Sequence, residues 1–174
     1  MIAARDAVRC ARERIGTAYA DMDCIALIRD VIRRSAGGVA DYRCEGTNWL
    51  WRSIGNSGKY RHLVWRQESI RDAEAGMLAF KRRGDDVHHV GLVTGEGTVI
   101  HASSSYGSVV ETRLDETWDC LGEHRYIRVM RTRGEEKKEW DEEREMPARL
   151  TIVDSAGRHF VPIGDWRVLL GGAD

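Results

Sequence analysis

At 174 residues, with 42% hydrophobic and 32% charged side chains, the chain has the make-up of one soluble domain with a small appendage and is too short for two full domains. A formal net charge of −1 leaves no global basic field that would direct it to nucleic acid. The amino end, Met1-Ile-Ala-Ala-Arg-Asp-Ala-Val-Arg9, is interrupted by charges too often for a signal peptide or a membrane span.

In chain order, Ala4, Val8, Ala11 and Ile15 recur at helical spacing and predict a first helix over 2–15, stopped at Gly16. Cys24 then opens an amphipathic stretch in which Ile25, Ile28 and Ile32, with Leu27 and Val31, form a wide apolar stripe ended by Gly37-Gly38. A thiol at the amino end of such a helix faces free N–H groups and the positive end of the macrodipole, which lowers its pKa and raises the thiolate fraction. Taken alone, the stretch reads more plainly as a buried structural cysteine. Thr47 or Asn48 is expected to cap a short helix with Trp49, Leu50 and Ile54 inward, followed by a loop through Gly58. Trp49 and Trp51 read as core aromatics before groove residues, and Lys59–Arg66 as an exposed strand or loop.

Strands are predicted at 76–81, 88–94, 98–102, 108–112 and 125–131, separated by glycine or charged turns. Helices thus fill the first half and an antiparallel sheet the second, which makes the fold α+β. Gly95-Glu96-Gly97 reads as a hairpin turn that brings His89 and His101 close together. A cysteine nucleophile needs an imidazole to take its proton and a third polar group to orient that ring, and these two histidines can fill the roles. Strict alternation along the strand puts His88 on the face opposite His89. The four cysteines, 10, 24, 44 and 120, contain no Cys-x-x-Cys pair, which argues against a structural zinc site or a redox dithiol and favours a reduced state during synthesis.

With these residues in view, the chain resembles the NlpC/p60 cysteine peptidases of bacterial cell walls. Asp23-Cys24 is similar to the family's Asp-Cys-Ser-Gly motif, His89-Val-Gly-Leu-Val93 to its His-Val-Gly-Ile-Tyr strand, Ile100-His101-Ala102 to its Ile-His-Ala segment and Ala75–Phe80 to its Pro-Gly-Asp-Leu-Val-Phe strand. The likeness spans roughly residues 15–130, in the family's order. It implies a papain-like fold, a Cys24-His89-His101 mechanism without cofactor or metal, and substrate binding by Tyr19 and Asp23. The implied substrate is a peptidoglycan stem peptide or muropeptide, cut between D-γ-glutamyl and a diamino acid. Ile25-Ala26 replaces the family's Ser-Gly and Met77 its Asp, so recognition of a free amino end by the residues flanking Cys24 is in question. Rival readings are a CHAP-type amidase, an inactive module that holds wall peptides, and a zinc protein using Cys24, His89 and His101.

The expected peptidase domain is 1–133. Residues 134–147 follow as a charged linker or solvated helix, with seven acids and three bases between Glu135 and Glu145. Residues 148–174 read as a β-rich appendage with strands on either side of Ser155-Ala-Gly157 and a strand or short helix at Trp166–Leu170. About 28 residues bury too little surface to fold alone, so the tail is expected to dock on the catalytic domain, on another chain or on a second copy. A wall-active protein lacking a leader leads to the expectation of a phage or prophage product, synthesised in the cytoplasm and carried with tail components or released by a lysis system.

Overall fold

The apolar stripe after Cys24 does form a helix, and the sheet is built against it. The computed structural model describes residues 1–52, 62–67 and 69–131, together with the backbone of three strands within 152–170. The chain divides into two units, 1–133 and 134–174.

The first unit begins with a two-residue strand, β1 (Ile2–Ala3), and helix α1 (Ala4–Arg12), shorter at both ends than its periodicity suggests. Ile2 pairs in parallel with Ile127 of β8 (Ile127–Arg128), which fixes the first residues as strand. Helix α2 (Cys24–Arg34) is capped by Asp23, whose Oδ1 accepts from the Ala26 N–H at 2.7 Å. It buries Ile25, Leu27, Ile28, Val31 and Ile32, each contributing about 1.5–3 kcal/mol of transfer free energy. Ile25 therefore points into the core, and its difference from the family's serine is absorbed by packing.

Helix α3 (Thr47–Arg52) ties its first two side chains to the start of β4 (Asp86–Val93). Thr47 Oγ1 donates to the Val87 carbonyl, and Asn48 accepts from the Val87 N–H at 2.9 Å and donates to Asp86 at 2.6 Å. Both side chains pin the helix to the sheet. Leu50 and Trp51 are buried and Trp49 half-buried, with Trp51 against Phe80. Ile54, the loop through Gly58 and Lys59–Arg61 lie outside the described residues.

The sheet has six strands in the order β2-β7-β3-β4-β5-β6, every neighbouring pair antiparallel. They are β2 (Leu63–Gln67), β3 (Met77–Arg83), β4 (Asp86–Val93), β5 (Thr98–Ser103), β6 (Ser108–Arg113) and β7 (Cys120–His124). The predicted strand over 125–131 is displaced: the strand between β2 and β3 is β7, and only Ile127–Arg128 forms a short strand after it. All five residues of β7 are buried, including the polar Glu123 and His124. Glu123 is paired with Arg131, and His124 Nε2 meets the Tyr42 hydroxyl at 3.0 Å, which in turn meets His62 Nδ1 at 3.0 Å. Such pairing is what permits polar groups in a core strand. Between β4 and β5, Gly95 and Gly97 adopt positive φ and close the expected hairpin.

The second unit contains β9 (Ile152–Val153), β10 (His159–Ile163) and β11 (Trp166–Leu170), an antiparallel sheet in the order β11-β10-β9. The charged stretch 135–145 lies outside the described residues.

Candidate active site

Helix α2 carries Cys24, and strands β4, β5 and β6 carry His89, His101 and Thr112, of which the last three are joined by hydrogen bonds. The segment before α2 is tied to the sheet: the Gly16 N–H donates to Val109 O at 2.9 Å, the Val109 N–H to Thr17 O at 2.9 Å, and the Tyr19 N–H to Gly107 O at 2.8 Å. This stitching to β6 fixes where the first turn of α2 meets β4.

Cys24 is the first residue of α2 and is 8% exposed. Backbone hydrogen bonding from Val90, the residue after His89, reaches its thiol, as does that from Ile25 and from Cys24 itself. These contacts favour the thiolate, as the position at the helix amino end leads one to expect. Desolvation outweighs them, and Asp23 adds to it, so the thiol sits above its ordinary value of 9.0. The expected lowering is thus reversed by burial. Cys24, Cys10, Cys44 and Cys120 are all free and buried.

His89 Nε2 and His101 Nδ1 are 2.8 Å apart, and His101 Nε2 is 3.1 Å from Thr112 Oγ1. Desolvation first, then Lys81 and the neighbouring imidazoles, lowers His89 to about 4; desolvation and Lys81 lower His101 to about 4 as well. Both rings are therefore neutral at pH 7.

His88 is exposed, but the alternation argument is not the reason. The β3–β4 register shifts from Lys81↔His89 to Arg82↔Val87, so His88 is the extra residue of a β-bulge. The bulge lets Val87 and Val90 both enter the core while His89 turns to the other face. On that face Gly91 leaves room for the neighbouring strand: a Cβ there would lie 2.6 Å from Val99 Cγ2 and 3.0 Å from His101 Cβ.

Tyr19 is half-buried, and burial together with nearby Cys24 and Asp23 raises its phenol above 10. Asp23 is exposed, with one carboxylate oxygen engaged as the helix cap. Three residues of the site were not visible from motifs. Trp118 stacks on His89 with ring centroids 5.4 Å apart and meets His101 edge-on at 5.3 Å. Lys81 lies 4.8 Å from the centre of the Trp118 ring and donates to Thr117 Oγ1 at 2.9 Å. Thr112 was deducible, because it shares a face with His101 once Val99↔Thr112 and His101↔Val110 fix the β5–β6 register. Among the described residues no group of three or more His, Cys, Asp or Glu side chains is arranged to hold a metal ion.

None of the curated proteins matches the chain significantly. Solved structures do. One is the NlpC/p60 domain of the peptidoglycan hydrolase SagA, 23% identical, covering 68% of this chain and 97% of that one at a TM-score of 0.47. A second is the peptidoglycan hydrolase RipB from Mycobacterium tuberculosis, 20% identical, covering 68% of this chain but only 63% of that one, TM-score 0.51. A third is the P60 domain of an antigen from M. avium subspecies paratuberculosis, 18% identical, covering 69% and 93%, TM-score 0.50. The last two share the fold of this chain. The NlpC/P60 family model matches residues 14–131, a span that takes in Tyr19, Cys24, both bonded histidines, Thr112 and Trp118, and the chain belongs to the NlpC/P60 family of cysteine peptidases.

Proposed function

We propose that the chain hydrolyses a peptide bond in peptidoglycan stem peptides, between D-γ-glutamyl and a diamino acid, with Cys24 as nucleophile, His89 as general base and acid, and His101 as the group that orients His89. The observation that carries this reading is the 2.8 Å contact between His89 Nε2 and His101 Nδ1 on the strand whose backbone reaches the Cys24 thiol. One set of tautomers serves the whole line. His101 donates from Nε2 to Thr112 Oγ1, which leaves its Nδ1 free to accept the Nε2–H of His89. The Nδ1 of His89 is then the basic nitrogen, free to receive the thiol proton.

In the first half-reaction Cys24 Sγ attacks the carbonyl carbon as its proton passes to His89 Nδ1. The backbone N–H of Cys24, at the amino end of α2, donates to the developing oxyanion. Collapse breaks the C–N bond, His89 returns the proton to the leaving amine, and a thioester remains. Water, deprotonated by His89, then releases the acid and restores the thiol. Asp23 offers its uncapped oxygen to a cationic group of the substrate, and Tyr19 its hydroxyl. Digestion of a defined disaccharide-peptide, followed by mass analysis, tests the assignment. A new amine on the diamino acid is the expected product. Release of the sugar from an intact peptide would establish an amidase instead, and full activity of Cys24→Ala would overturn the nucleophile.

A further inference from the structure

We infer that Trp118 is a positioning residue for the histidine pair and that its π face favours His89 in the protonated state. The inference rests on the reading of His89 as the general base. The motifs leave this role empty: the charged groups that act on the pair are Lys81 and, for His89, the other imidazoles, none of them a carboxylate among the described residues. The partner that usually steadies an imidazolium by opposite charge is therefore missing from the contacts of the pair. Trp118 occupies that place. It is 3% exposed, stacked on His89 with 30° between ring planes and nearly perpendicular to His101 at 86°. The two contacts fix both ring planes at once, which holds the 2.8 Å hydrogen bond in register and keeps water from it.

The stack acts on the reaction as well as on the ground state. A cation over an indole face is attracted by the ring quadrupole more strongly than a neutral ring is. His89 carries that charge only after it has taken the thiol proton, so the gain falls on the transition state and on the steps that follow. Lys81 braces the arrangement, with its ammonium near the ring and tethered to Thr117 Oγ1. Trp118 also packs beside Met77, Ala79, Val93, Val99 and Leu121, so a purely structural role is the competing account.

Trp118→Phe and Trp118→Leu separate the two accounts, because Phe keeps a π face whereas Leu fills the hydrophobic space without one. Both are compared with the parent in the full chain by melting temperature, kcat, KM and the pH profile on a defined muropeptide. Phe is expected to keep kcat within about 3-fold, and Leu to lose about 10–30-fold in kcat with KM little changed. In the Leu variant the acid limb of the profile also moves downward, because protonated His89 loses the π face that favours it while the hydrophobic space stays filled. Equal kcat for Phe and Leu, or a loss in both that tracks melting temperature while the acid limb stays in place, overturns the inference. His89→Ala in the same assay keeps the outcomes apart. If it remains active, the general-base reading itself fails; if it is inactive while Leu behaves like Phe, only the role of Trp118 falls.

Discussion

Burial holds the Cys24 thiol above 9.0 and His89 near 4, so the pair rests as thiol and neutral imidazole over the ordinary working range of pH. With the thiol at or above 9.0, less than about 1% is thiolate at pH 7. Alkylation of Cys24 by iodoacetamide, which consumes the thiolate, should therefore climb about tenfold per pH unit, roughly 1000-fold between pH 5 and 8, without levelling. Quenched time points read by mass spectrometry give this rate for each cysteine separately. Cys24 should still react ahead of Cys10, Cys44 and Cys120, because it alone stands at a helix amino end with backbone hydrogen bonding from Val90 and Ile25 at its sulfur. His89→Ala is the decisive perturbation. If the pair is neutral at rest, the slope belongs to the thiol and survives the substitution. A resting thiolate–imidazolium pair would instead give a plateau from pH 5 to 8 that His89→Ala converts into a slope, and that result would refute the argument from burial. Turnover should behave differently from alkylation, since it needs His89 unprotonated and declines only as pH falls toward about 4.

His89→Ala should cost roughly 10²–10⁴-fold in kcat; His101→Asn should retain a measurable fraction, its amide replacing one positioning hydrogen bond, and exposed His88→Ala should match the parent in steady-state assays. Thr112→Val removes the acceptor for His101 Nε2 and is expected to lower kcat with KM unchanged, while Thr112→Ser restores it. Gly91→Ala forces a Cβ to within 2.6 Å of Val99 Cγ2, which should lower stability by about 1–3 kcal/mol in chemical denaturation and displace His101 enough to reduce kcat. Stability should also fall with acid: His124 is held near 3, and His89 and His101 near 4, against 6.5 in the unfolded chain. From about pH 6.5 downward the unfolded state thus binds more protons, and each histidine adds a slope of up to about 1.4 kcal/mol per pH unit until its folded value is reached; urea titrations that show no dependence between pH 7 and 4.5 would contradict this.

The sequence carried the helix of Cys24 and the hairpin of His89 and His101 because each depends on a local signal: an apolar stripe, and glycines at a two-strand turn. It misplaced β7 because Glu123 and His124 look solvent-facing when read along the chain; their partners, Arg131, Tyr42 and His62, are brought to them only by the tertiary fold. Trp118 was missed for a related reason. It lies in the short stretch between β6 and β7, where no periodicity exists, and its place becomes apparent only when β3, β4 and β5 are aligned beneath it. The reading that puts His88 and His89 on opposite faces rests on strict alternation, which the bulge at His88 interrupts.

The sign of the Cys24 shift bears on how such a site can work. A helix amino end and three backbone contacts all favour sulfur as an anion, yet desolvation outweighs them while the site is at rest. The same enclosure that suppresses the resting charge strengthens every fixed dipole aimed at a charge created within it. In the proposed mechanism, as the proton leaves Cys24 the anion forms against donors that are already in place, and the cation forms on a ring already stacked against Trp118 and already bonded to His101. Little reorganisation remains to oppose the transfer. A neutral resting pair thus stores its advantage in the geometry around it, and substitutions that leave both reacting groups untouched, at Thr112, Gly91 or Trp118, should change kcat more than they change KM.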